Sequence, residues 1–184
     1  MNQQYLVSAL RQFKYYEQLA NKAIAQLEET QLFLTPNDES NSIAIIMKHM
    51  AGNMLSRWTD FLSTDGEKSW RQRDSEFIDE FKTKAELMAY WSKGWSCLYN
   101  AIEPLTEVDL VKIVYIRNEG HTVMEAINRQ LCHYSYHVGQ MVYLAKFFKN
   151  QSWQSLSIPR NKSAGYNQKK FEEEKSIRHF TDKL

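Results

Sequence analysis

The chain has 184 residues, enough for one domain with a sizeable core, and its 23 Lys and Arg balance 22 Asp and Glu to a net charge of +1. Opposite charges are interspersed, so no global field attracts nucleic acid or an acidic membrane surface. Since no run reaches the ~18 apolar residues that a membrane span needs, we expect a cytoplasmic protein without nucleic-acid or membrane partners.

The first two predicted helices follow from apolar residues at helical spacing in a chain with only six glycines and three prolines. The first covers residues 3–28, and Arg11, Lys14 and Glu17 break any apolar region of a signal peptide. The second begins near Ser40 or Asn41, either of which can cap it, and continues to residue 62. Its predicted core face is Ile43, Met47, Met50, Met54, Trp58 and Phe61.

The middle of the chain combines a long polar connection with a third helix. Residues 63–82 exceed the usual two to about eight residues between bundle helices, which predicts a crossover that runs the length of the bundle. The third helix opens with a capping box formed by Thr83 and Glu86 and ends before Pro104. The β-branched residues in 109–120 predict a short strand or hairpin.

A second capping box, formed by Thr122 and Glu125, opens a fourth helix that extends to residue 149, about 42 Å at 1.5 Å per residue. Four long helices with one long crossover predict an all-α four-helix bundle within residues 1–150. Residues 151–184 are expected to form a tail that packs on the bundle as part of the same domain. The charged run KKFEEEK in this tail predicts a last short helix.

Three histidines are candidate metal ligands. His133 and His137 lie four residues apart on one helical face, so both imidazoles can reach one cation at about 2.0–2.1 Å. His49 is the one other histidine within a long predicted helix, and helices packed side by side would bring it to the pair. His121 and His179 are expected at the surface. A packing role for all three candidates remains the alternative.

Other metal motifs are absent. The di-iron motif Glu-x-x-His does not occur, and Tyr134 stands where a zincin has its glutamate. Cys97 and Cys132 are too few and too distant for a thiolate zinc site, so we interpret them as reduced thiols, with Cys132 in the core. Three imidazoles with open positions are typical of a catalytic metal. They suit Zn, Ni, Fe or Cu; we favour Zn or Ni, then Fe.

The segments NSIAIIMKHMAGNMLSRWTDFL and HYSYHVGQMVYLAK resemble the DinB-like superfamily, over nearly the whole chain. With LSIPRNKSAGYN, they are similar to a branch of it known as a domain of unknown function. The resemblance implies a four-helix bundle in which His49, His133 and His137 hold a divalent metal. It also implies frequent homodimers, and relatives that activate a low-molecular-weight thiol such as bacillithiol or mycothiol.

By this analogy we expect a metal-dependent transferase that presents the thiolate to an electrophilic small-molecule substrate. A hydrolase that activates water with the same ligands is one alternative. A non-enzymatic helical dimer, with a structural metal or none, is the other. No catalytic residue is assigned from sequence. The candidate substrate-binding residues are Asn53, Arg57, Gln130, Gln140 and Arg160.

Overall fold

The computed structural model describes residues 3–182 and is mostly helical, with one small antiparallel sheet. Residues 1–2 and 183–184, which the predicted domain boundaries include, lie outside the described residues. The four long helices are α1 Gln3–Ile24, α3 Ile43–Trp58, α4 Lys84–Ile102 and α5 Val123–Lys149. The shorter elements are α2 Glu29–Leu32, β1 Ile113–Ile116, β2 Glu119–Thr122 and α6 Ser163–Glu172.

The four long helices enclose the hydrophobic core. Helices α1 and α3 each pack against both α4 and α5, so the apolar faces of all four meet. The residues predicted for the core face of α3 are all buried. The largest side chains with almost no exposed surface include Phe13, Trp91, Trp95 and Tyr134. The apolar periodicity of the sequence therefore identified the buried faces.

Three predicted helix boundaries were wrong. Ser42, not Ser40 or Asn41, caps α3, and its Oγ accepts a hydrogen bond from the Ile45 amide at 3.1 Å. The Ser40 hydroxyl instead donates to Asn37 within the preceding loop. Helix α3 ends at Trp58 rather than at residue 62, and α1 ends at Ile24 rather than at residue 28. Local hydrogen bonds in the flanking loops decide these ends.

The capping boxes and the hairpin were predicted correctly. Thr83 with Glu86 caps α4, and Thr122 with Glu125 caps α5. Strands β1 and β2 pair antiparallel, with Ile116 opposite Glu119. Arg117 and Asn118 between them both have positive φ, as a two-residue type I′ turn requires.

The crossover between α3 and α4 contains a 3-10 turn, Asp74–Phe77, that packs against α3. Lys48 of α3 holds this segment, since its Nζ donates to the carbonyls of Ser75 and Ile78 at 2.6 and 3.0 Å. The same ammonium group pairs with Glu80 at 2.8 Å. The crossover is therefore held against α3 by side-chain hydrogen bonds and an ion pair.

The tail after α5 contacts the first helix and the loop that follows it. Gln154 and Gln26 exchange two hydrogen bonds, and His179 lies 3.1 Å from the Ser8 hydroxyl. Helix α6 includes only the beginning of the KKFEEEK run, because it ends at Glu172. No helix among residues 3–182 is long and apolar enough to cross a membrane.

Candidate metal centre

Helices α3 and α5 bring the three predicted histidines together. The Nε2 atom of His133 lies 3.1 Å from that of His137 and 3.4 Å from that of His49. One ligand atom from each residue lies within 4.8 Å of the others. Bonds of about 2.0–2.1 Å at tetrahedral angles place nitrogens about 3.3–3.4 Å apart. The cluster therefore has the dimensions of a site for one metal ion.

The outer nitrogen of each imidazole faces an oxygen. Nδ1 of His49 lies 2.9 Å from Glu76 Oε2, and Nδ1 of His137 lies 2.8 Å from Gln140 Oε1. Nδ1 of His133 lies 3.4 Å from Gln130 Oε1. An oxygen that accepts a hydrogen bond at this position favours the tautomer with the proton on Nδ1, in which Nε2 presents a lone pair to the centre.

The chemistry of the cluster suits a metal rather than a proton. Burial, and then the neighbouring His137 and His49, lowers the pKa of His133 to about 3. Burial also lowers the pKa of His137, although the hydrogen bond with Gln140 opposes that shift. The two imidazoles of α5 are consequently neutral at neutral pH, which is the form that binds metals.

Glu76 is the residue that sequence reasoning missed. It is buried, and Arg71 donates to both of its oxygens, from Nε at 2.8 Å and from Nη2 at 2.9 Å. Burial alone would raise the pKa of Glu76, but hydrogen bonds with His49 and Arg71 outweigh it and hold this pKa below its usual value. The unusual length of the crossover was the one signal for this segment in the sequence, but we interpreted it only as a connection that runs the length of the bundle.

The other predicted residues have different positions. Asn53 is buried, and its Oδ1 accepts a hydrogen bond from the Tyr134 hydroxyl at 3.0 Å. Arg57 is also buried and donates to the Gly66 carbonyl and to Glu67. Gln130 and Gln140 contact His133 and His137, as described above. Arg160 is exposed and makes no hydrogen bond with this cluster among the described residues.

Aromatic rings contact the histidines, and an open cleft lies beside them. Phe77 stacks on His49 at a centroid distance of 4.9 Å, and Tyr136 meets His137 edge-on at 5.0 Å. A cleft of about 680 Å³ is lined by Tyr136 and Gln140, which both contact His137, and by Ile46. The cleft therefore lies beside the cluster, and the three histidines are not among the residues that line it.

The prediction that Cys132 lies in the core was wrong, because this cysteine is exposed. It shares the solvent-facing side of α5 with Arg129 and Tyr136, at helical spacing from both. Cys97 is half-buried. Neither thiol belongs to the cluster of potential ligands found among residues 3–182.

Fold and site together define a mostly helical protein with three histidines close enough to hold a metal ion. The family model described as "Protein of unknown function (DUF1572)" matches residues 1–162, so the chain belongs to that family. No curated protein and no solved structure matches the chain.

Proposed function

We propose that this chain is a divalent-metal-binding protein whose four long helices form a DinB-like four-helix bundle. His49, His133 and His137 would hold the ion. One observation carries the proposal: one ligand atom from each histidine lies within 4.8 Å of the others, and every Nδ1 lies within 3.4 Å of an oxygen that can accept its proton. Three facing lone pairs repel unless a cation lies between them, and the depressed pKa of His133 disfavours a proton in that place.

Within this proposal, transfer of a low-molecular-weight thiol is the activity that the site supports best. The cluster of potential ligands among the described residues consists of histidines alone. The nearby carboxylate of Glu76 accepts hydrogen bonds from both His49 and Arg71, so it is not free to act as a general base. A metal ion can lower the pKa of bound water from about 15.7 to about 7, so hydrolysis with the same ligands stays the alternative; a thiol, with an ordinary pKa of about 8.5, needs a much smaller shift.

The charges around the cluster also favour an anionic ligand at the open positions. Burial keeps the imidazoles of His133 and His137 neutral, and Arg71 balances the charge of Glu76. The protein would therefore not neutralise the positive charge of a bound divalent ion. That charge would lower the pKa of a coordinated thiol, so that the thiol would be a thiolate nucleophile at neutral pH. Tyr136 and Gln140 at the cleft would contact the thiol or its electrophilic substrate.

Metal analysis tests the proposal directly. Protein purified without an affinity tag or chelator should contain close to one Zn or Ni ion per chain, measured by elemental analysis. His49→Ala, His133→Ala and His137→Ala should each lose it. His121→Ala is the matched control and should keep the metal. A wild-type protein that stays free of metal after addition of Zn and Ni would overturn the proposal.

The thiol activity has its own test with Co²⁺ in place of the native ion. Addition of a low-molecular-weight thiol should produce the near-ultraviolet charge-transfer band of a cobalt–thiolate bond, and Cys132→Ala should behave like the wild type. If the thiol left the Co²⁺ spectrum unchanged, the hydrolase and the structural-metal alternatives would take precedence. The predicted homodimer stays a prediction, which sedimentation of the untagged protein would check.

A further inference from the structure

We infer that Glu76, which lies in the crossover, is a positioning residue for His49. Gly52 of α3 leaves the space that its carboxylate occupies. The inference rests on the proposed metal centre and deepens it. Glu76 fixes the proton of His49 on Nδ1, at 2.9 Å, and thereby directs the Nε2 lone pair toward the other two histidines. Carboxylates behind metal-bound histidines act in this way and raise the basicity of the ligand.

A buried network of ion pairs fixes the orientation of Glu76. The Arg71 side chain is only 2% exposed, and its guanidinium group spans both oxygens of Glu76. Arg71 Nη1 also lies 3.2 Å from Glu67 Oε2, which pairs with Arg57 at 3.1 Å. Glu67 thus connects Arg71, and through it Glu76, to α3. The carboxylate behind His49 is therefore held by a guanidinium group that a second carboxylate fixes in turn.

Gly52 provides the space that Glu76 occupies. A Cβ atom at position 52 would lie 2.5 Å from Glu76 Oε1 and 2.9 Å from its Cδ, both closer than real contacts allow. Glycine is otherwise unfavourable inside a helix. Gly139 of α5 is different, because no atom of residues 3–182 outside its own helical turn lies within 4 Å of a Cβ added there. Gly52→Ala therefore displaces the carboxylate without removing its charge, and Gly139→Ala is the matched control.

The affinity for Co²⁺, measured by competition with a chromophoric chelator, tests the inference. Glu76→Gln and Gly52→Ala should each weaken binding by about 10- to 100-fold, the usual effect of losing such a partner. Gly139→Ala should bind like the wild type. Circular dichroism of the metal-free variants will show whether they keep the helical fold. Gly52→Ala retains both charged partners, so a failure of Glu76→Gln to fold leaves the test intact.

A second measurement does not depend on the metal. Long-range ¹H–¹⁵N spectra of the metal-free protein report which nitrogen of His49 carries the proton. The wild type and Gly139→Ala should show the Nδ1–H form alone, and Glu76→Gln and Gly52→Ala should show a mixture of both tautomers. An Nε2–H form in the wild type would overturn the inference.

The outcomes separate the two proposals. A wild type that binds no Co²⁺ would overturn the metal centre and this inference together. Wild-type affinity in both Glu76→Gln and Gly52→Ala, beside a wild type that binds Co²⁺, would overturn only the positioning role of Glu76.

Discussion

The two sides of the candidate metal centre are built differently. On the α5 side, Gln130 and Gln140 orient His133 and His137 from three residues away on the same helix. On the α3 side, His49 is oriented by Glu76, which lies 27 residues further along the chain and is held by a buried arginine. Helical geometry forms the first side locally, whereas the second exists only when the crossover is folded onto α3.

This difference predicts that the loss of charged contacts in the crossover lowers the free energy of unfolding much more than the loss of the glutamine contacts does. The ion pair between Arg71 and Glu76 is nearly inaccessible to solvent, and a buried charge without its partner is costly. The neutral amides of Gln130 and Gln140 lack such a charge. The three predictions below test the contrast, from the largest expected effect to the smallest.

Arg71→Ala should lower the free energy of unfolding by about 3–5 kcal/mol, because it leaves the Glu76 carboxylate buried without its main partner. Urea denaturation of the metal-free protein measures this change. Arg73→Ala is the control, since Arg73 is about half exposed and its ion pair with Asp74 is long, at 4.0 Å. A surface change of this kind should stay within about 0.5 kcal/mol. Equal effects of the two variants would contradict the structural role of the crossover.

The stability of the metal-free protein should fall as the pH drops below 6.5. His133 and His137 have depressed pKa values in the folded state, so the unfolded chain binds more protons in this range and protonation favours unfolding. Each group contributes at most about 1.4 kcal/mol per pH unit, and solvent access reduces the share of His137.

Denaturation between pH 7.5 and 5.5, in the presence of a chelator, measures the slope of the free energy of unfolding against pH. His133→Ala should flatten it, and His121→Ala should not. The depressed pKa of Glu76 stabilises the fold above about pH 4.3 and this contribution is lost at lower pH, so it lies outside the measured range. A slope in His133→Ala as steep as in the wild type would show that other groups cause the loss.

Gln140→Ala should weaken Co²⁺ binding by about tenfold, near the lower end of the range for partners of ligand histidines. Gln130→Ala should have less effect, because the Gln130 oxygen is 3.4 Å from its histidine while the Gln140 oxygen is at 2.8 Å. Neither should change the free energy of unfolding as much as Arg71→Ala. The reverse order of the two glutamine variants would show that these distances do not govern affinity.

Local patterns in the sequence were sufficient to identify the four long helices and the hairpin. Apolar periodicity identified the four long helices and their buried faces, and the capping boxes at Thr83 and Thr122 located two helix starts. The spacing of His133 and His137 alone places both imidazoles on one face of α5. All these features depend on residues within four positions of one another, where helix geometry is known in advance.

Only the tertiary structure decided the rest. The approach of His49 to the α5 pair depends on how α3 and α5 pack, and the position of Glu76 depends on a crossover whose path has no periodic signal. The exposure of Cys132 likewise depends on which side of α5 is left uncovered. These contacts join residues 27 and 84 positions apart in sequence. Contacts between residues so far apart in sequence depend on the packing of whole helices, which local sequence patterns do not specify.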